Sequence, residues 1–266
     1  MDVRSQQDPL VSGSIGEWLA AAGAAVRRSL VPLVLIQLAV FVPVAVIVGL
    51  LGGLGAFGDA EALAPDYGFG YVLQTESLTV RLISVVLGTL GLAASVFVIV
   101  RDAAGRAWTP GEAFGFAGRR FLPLIGWILL SSVLTVVGYV LLILPGIYLT
   151  VVFGGALLGV VTIERGGLGR TFRLVNPRFL GVLGRLLLLA VLSFVYSLVA
   201  AAVSALPGLL VGGDAPAVVG ALLMNLLTIP LVVFTTAALV VLYGELRSRL
   251  EPGTGTATFA DELDRR

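Results

Sequence analysis

The stretch FLPLIGWILLSSVLTVVGYVLLILPGIYLTVVFGGALLGVVTI, Phe121 to Ile163, runs for 43 residues without a charged side chain. A bilayer's hydrocarbon core is about 30 Å thick, and a helix crosses it in about 20 residues. The run is therefore two crossings long. Near its middle stands Ile143-Leu144-Pro145-Gly146, where proline interrupts a helix and glycine permits a reversal. The expected structure is a pair of spans, 122–143 and 146–163, joined by a tight turn at this tetrapeptide.

Working outward, the same criterion places spans at 31–53, at 82–100 between Arg81 and Arg101, at 186–206 up to Pro207, and at 221–243. Composition agrees. The chain is 58% hydrophobic and 12% charged, with mean hydropathy +1.05, whereas soluble domains carry about 25% charge. A soluble fold of this size lacks the means to hide so much apolar surface, and lipid is its natural solvent. The uncharged run Ser29–Gly58 begins about thirty residues into the chain and is too long for the apolar core of a cleaved secretory leader, about 7–15 residues.

Six spans put both termini on one side. With that side inside, sixteen of the seventeen arginines fall on inner segments and only Arg81 falls outside. Positive residues are retained on the cytoplasmic side, so both termini are expected there. Residues 1–250 form the six-span membrane domain. Residues 251–266, EPGTGTATFADELDRR, are Gly/Thr-rich with mixed charge and are expected to be a disordered cytoplasmic tail. Tyr67, Phe69 and Tyr71 suit an outer aromatic belt.

A weak internal repeat supports a finer architecture. Ser14-Ile15-Gly16-Glu17 and Thr109-Pro110-Gly111-Glu112 both match a helix capping box. Each precedes a double arginine and Pro-Leu, at Arg27-Arg28 and at Arg119-Arg120. The segment from Glu164 to Arg185 forms a third such unit, with Asn176-Pro177-Arg178 in place of the double arginine. The expected fold is thus all-α: a polytopic six-helix transmembrane bundle built from three helical hairpins, each led by a cytoplasmic amphipathic segment.

That third segment holds five arginines. On a helix beginning near Gly167, Leu168, Phe172 and Val175 share one face, with Arg170 and Arg173 turned away. Asn176-Pro177 should break the helix, because the residue before proline avoids helical backbone. Such a helix would lie in the interface, phenylalanine toward the acyl chains and arginines among phosphates. Two readings stay open. The arginines mark the inner side of the membrane, or they recognise an anionic headgroup or a phosphate-bearing molecule through two-point guanidinium hydrogen bonds, with Arg170, Arg173, Arg178, Arg119 and Arg120 as the expected anionic-lipid contacts.

The chain has no His and no Cys. That removes the commonest metal ligands and acid–base group, and all thiol chemistry. No metal, cofactor, nucleic-acid partner or catalytic constellation is expected, and the spans carry no charged residue. Ser131, Thr135, Ser197, Asn225 and Thr228 supply mild polarity, while Gly155-x-x-x-Gly159 and Ala200-x-x-x-Ser204 read as helix-packing faces. The function this favours is a non-catalytic membrane scaffold or modulator touching anionic lipid. The alternative is a transporter or permease-like protein for an apolar or lipid-like solute.

Two stretches resemble a bacterial multi-span membrane family described as the membrane domain of glycerophosphoryl diester phosphodiesterases. TIERGGLGRTFRLVNPRFLGVLG matches its loop at Glu164, Gly167, Arg170, Arg173, Leu174, Val175, Phe179, Val182, Leu183 and Gly184. PLVVFTTAALVVLYGELRSRLE matches its ending at Pro230, Tyr243, Glu245, Leu246, Arg247 and Arg249. The resemblance implies a multi-pass protein of the bacterial plasma membrane, of unassigned activity. It does not imply the phosphodiesterase itself, whose catalytic histidines have no counterpart here.

Overall fold

The computed structural model describes residues 8–53, 78–210 and 215–265, and every described element is helical. In chain order these are α1 (Ile15–Arg28), α2 (Leu30–Gly53), α3 (Leu78–Ala103), α4 (Pro110–Leu141), α5 (Ile143–Gly159), α6 (Leu168–Val175), α7 (Phe179–Leu210), α8 (Ala215–Leu250) and α9 (Thr256–Asp264). Five helical stretches are long and apolar enough to cross a membrane, and the bent pair α1–α2 would make a sixth. The expected outer aromatic belt at Tyr67, Phe69 and Tyr71 lies outside the described residues.

Helix α8 is the hub, touching α1, α2, α3, α5, α6 and α7. Along α3, α5 and α8 most of the apolar surface is inside, with Val96, Val98, Ile99, Val152, Val241 and Leu242 all at 0% exposure. Helices α4 and α7 stand at the periphery. Leu129, Val133, Val136 and Val140 of α4, and Leu187, Val191, Phe194 and Leu198 of α7, are exposed. A helix apolar on its outward face is suited to lipid.

Both capping boxes form. The Ser14 side chain accepts from the Glu17 backbone while Glu17 accepts from the Ser14 backbone, and Thr109 and Glu112 repeat the exchange. The two units diverge after their boxes. From α1 to α2 the chain bends by 75°, whereas the second unit runs straight on as the single helix α4.

Several expectations are corrected. The turn in the central run falls at Leu142, which is extended at φ −161°, ψ 146°, and not within Ile143–Gly146. Pro145 and Gly146 instead enter the first turn of α5, where a missing N–H leaves no intrahelical bond unmade. Gly146 is needed there because a Cβ would stand 2.4 Å from the Tyr139 ring. Pro207 does not stop its helix, for α7 continues to Leu210. Asn176-Pro177 does end the α-helix, for α6 stops at Val175, but the backbone does not leave helical space there as expected. Asn176 remains helical at φ −54°, ψ −44°, and a 3-10 turn (Asn176–Arg178) joins α6 to α7.

The C-terminal segment is not a disordered tail. It forms α9, whose Phe259 and Ala260 are at 0% exposure and whose Leu263 is at 4%. Its composition is polar, but three apolar residues spaced i, i+1 and i+4 supply one buried face, and the opposite carboxylates meet arginines of the bundle. Asp8 anchors its start by accepting from the Thr256 backbone at 2.8 Å and from the Thr256 hydroxyl.

Close helix contacts depend on particular glycines. A Cβ at Gly155 would lie 2.6 Å from Val182 of α7, and one at Gly159 would lie 2.2 Å from the Tyr243 ring of α8. The two glycines of the Gly-x-x-x-Gly pair thus admit two different neighbours. Gly159→Ala is expected to destabilise by about 1–3 kcal/mol through overpacking, while Gly126→Ala, where a Cβ meets nothing within 4 Å, should be neutral or slightly stabilising. Thermal unfolding in detergent measures both.

Candidate functional site

The carboxyl ends of α3, α5 and α8, the amino ends of α4 and α7, and the helices α1, α6 and α9 meet at one end of the bundle. All the ion pairs among the described residues lie there. An isolated charge buried here would carry a large desolvation penalty, so each needs a partner. Two networks and an outer cluster of ion pairs supply them.

The first is built on Glu164, at the close of a π turn (Val160–Glu164) that extends α5. One oxygen accepts from Arg170 Nε at 2.5 Å. The other accepts from the buried Tyr243 hydroxyl at 2.8 Å. That hydroxyl in turn accepts from Arg247 Nη1 at 2.9 Å. Arg247 grips Glu262 of α9 with both Nη atoms, Nη2 at 2.6 Å, and its guanidinium lies 5.5 Å from the Phe259 ring centroid. Glu251 accepts from both Arg170 and Arg247. Helices α6, α8 and α9 are thereby tied to the end of α5.

The second network is centred on Glu245, 2% exposed. It accepts from Arg185 Nη2 at 2.9 Å on each oxygen and from the Ser12 hydroxyl at 2.8 Å. Arg249 Nε stands 3.2 Å away, and its Nη2 donates to Gly13 O at 2.7 Å. The segment before α1 crosses α8 at Gly244, where a Cβ would meet Leu10 O at 2.2 Å. Further out, Arg101 and Arg106 both bind Asp264 of α9, and Arg106 also binds Asp261.

All five residues of the family-like motif, Glu164, Tyr243, Glu245, Arg247 and Arg249, are therefore in this layer. Of the five expected lipid contacts, Arg170 is engaged internally by Glu164 and Glu251, which corrects its expected role as a headgroup contact. Arg173 and Arg178 are exposed and have no hydrogen-bond or ion-pair partner among the described residues. Arg119 and Arg120 line a cleft of about 890 Å³ together with Arg101, Arg165, Glu112 and Asp264. The face of α6 also departs from expectation: Phe172 packs on Phe153 and Tyr148, with ring centroids 5.6 and 6.1 Å apart, instead of meeting acyl chains. Thr171, Leu174 and Val175 are buried beside it.

Sequence reasoning missed Arg185, Glu251, Glu262 and Asp264. Their partners stand far along the chain or on a helix that composition did not reveal. The one available signal was Arg185, which directly abuts the apolar span 186–206. Among the described residues no group of side chains is arranged to hold a metal ion. No protein-family model matches the chain, and no curated protein or solved structure matches it.

The pairings carry two expected outcomes. Glu245→Ala leaves Arg185 buried beside no carboxylate and is expected to cost about 3–5 kcal/mol, read as lowered thermal stability in detergent. Partial burial alone would raise the Glu251 carboxyl, but the hydrogen bonds and charges of Arg170 and Arg247 outweigh it and hold the group below its ordinary 4.5. A carboxyl depressed in the folded state stabilises above its unfolded value and loses that contribution as pH falls through the folded value. Glu251→Gln should therefore lower stability at pH 7 and flatten its fall below about pH 4.5, measured as melting temperature against pH.

Proposed function

We propose that the chain is a non-catalytic integral membrane protein of the bacterial plasma membrane, a scaffold or modulator that contacts anionic lipid headgroups through its basic end. In this reading six helices cross the bilayer as three hairpins, with both termini in the cytoplasm, as the sixteen-to-one distribution of arginines supports. The family resemblance carried by Glu164, Tyr243, Glu245, Arg247 and Arg249 belongs to the same proposal.

The observation that carries it is the division of labour among the arginines. Arg101, Arg106, Arg170, Arg185, Arg247 and Arg249 are fasteners, each joined to a carboxylate. Arg27, Arg28, Arg119, Arg173 and Arg178 are exposed cations at the same end. On α4 the lipid-suited surface begins at once beyond the arginines, with Leu122 at 74% exposure. Cations at that level stand where phosphates of an anionic leaflet lie, each worth about 1 kcal/mol. The engagement of the buried carboxylates with arginines favours a fastening over a catalytic role for them.

Native mass spectrometry of the detergent-released protein tests this. Wild type is expected to retain phosphatidylglycerol in preference to phosphatidylcholine, and the variant with Arg119, Arg120, Arg173 and Arg178 all changed to Gln is expected to lose the preference. Equal lipid retention by the two proteins would overturn the reading.

A further inference from the structure

Resting on that reading, we propose that the cleft between the end of α3, the start of α4, the π turn and α9 is a binding site for a phosphate group, with Arg120 as its central contact. The site is deeper and more specific than the exposed basic surface around it.

The cleft's lining is unbalanced in charge. It holds Arg101, Arg119, Arg120, Arg165 and Arg265 against Glu112 and Asp264. Both carboxylates are already occupied: Glu112 closes the capping box of α4, and Asp264 binds Arg101 and Arg106. Arg120 is half-buried in the cleft wall, and the charges of Arg165 and Arg119 act on it repulsively. Its Nη2 is buried and finds no hydrogen-bond partner among the described residues. A buried donor without an acceptor, held among like charges, is unfavourable unless an anion completes it.

The backbone is consistent with an anion there. Thr109 and Gly111, at the amino end of α4, line the same cleft, and such an end favours negative charge. Arg165 reaches the lining from a left-handed backbone at φ 60°, ψ 27°, a conformation uncommon outside glycine. Planar guanidinium forks match phosphate oxygens in pairs. The phosphate can be borne by a lipid, since exposed Leu122 lies two residues beyond Arg120, or it can be free in solution.

The test uses the full chain in phosphatidylcholine nanodiscs. Melting temperature and native mass spectra are recorded with added phosphatidic acid, with phosphatidylglycerol and with inorganic pyrophosphate. Three proteins are compared: wild type, Arg120→Gln, and Arg173→Gln/Arg178→Gln. At least one probe should stabilise wild type, with apparent affinity about tenfold weaker in Arg120→Gln and distinctly less weakened in the double variant, which removes exposed cations outside the cleft. Stabilisation by the lipids alone assigns a lipid-borne phosphate, and stabilisation by pyrophosphate assigns a soluble one; both outcomes support the cleft.

Without any probe, Arg120→Gln should melt no lower than wild type, because it relieves crowded charge. A large drop would make Arg120 a fastener and overturn the site. Loss of lipid from the double variant but not from Arg120→Gln would overturn the cleft while leaving the basic-surface reading intact. Unaltered lipid retention in both variants and in the fourfold variant, together with no pyrophosphate stabilisation that Arg120→Gln weakens, would overturn the two together.

Discussion

The hydroxyl of Tyr243 lies between Glu164 and Arg247, and its ring rests where Gly159 has no side chain. The arrangement of the charged end depends on this contact. It brings α5 and α8 close enough for one carboxylate and one guanidinium to share a phenol. The arginine's remaining donors are then free to hold α9 through Glu262. A glycine on one helix and a tyrosine on the next form a single device: the small residue allows the approach, and the polar tip of the large one links two charges that would otherwise be costly to bury.

That device explains why so many charges can sit against apolar spans. In a medium of low dielectric an unpaired ion is strongly disfavoured, and a paired one is tolerated when its remaining lone pairs and protons are also satisfied. Glu245 meets that condition through Arg185, Arg249 and Ser12. Glu164 meets it through Arg170 and Tyr243. The pairings join segments far apart in the chain, so the layer also acts as a clasp: the segment before α1, the ends of the long helices and α9 are held in one place by carboxylates. Arg101 and Arg185 each keep a buried Nε without an acceptor, but each is joined to a carboxylate through its Nη atoms. Arg120, by contrast, has no carboxylate partner among the described residues and only the Phe116 ring beside its guanidinium. That contrast marks the cleft as distinct from the clasp.

Amphipathic helices at a membrane end have two places to put their apolar faces, lipid or protein. Phe172 of α6 and Phe259 of α9 both turn to protein, the first against Tyr148 and Phe153 and the second against Tyr243. The choice is set by their surroundings. Aromatic rings on α5 and α8 already face the same space, and charges elsewhere on the two helices, Arg170 on α6 and the carboxylates of α9, find partners of opposite sign within reach. The exposed cations are those, such as Arg173 and Arg178, for which the described part of the bundle offers no carboxylate.

The sequence by itself determined the membrane class, the all-helical make-up and the sites of most long helices, because hydropathy over about 20 residues is a local quantity set by the bilayer's thickness. It also determined both capping boxes, whose partners are three residues apart. Only the tertiary structure decided which arginines are fasteners and which are free, for Arg170 and Arg173 share a short helix and differ only in what stands opposite. It decided that α9 is ordered, since its stability comes from Phe259 meeting Tyr243 and from Glu262 meeting Arg247, not from its own composition. It decided too that Pro177 and Pro207 lie within continuous helical paths, where packing by neighbouring helices outweighs a local preference to break. Pairings across distant positions leave no periodic trace in a single chain, and the charged end consists almost entirely of such pairings.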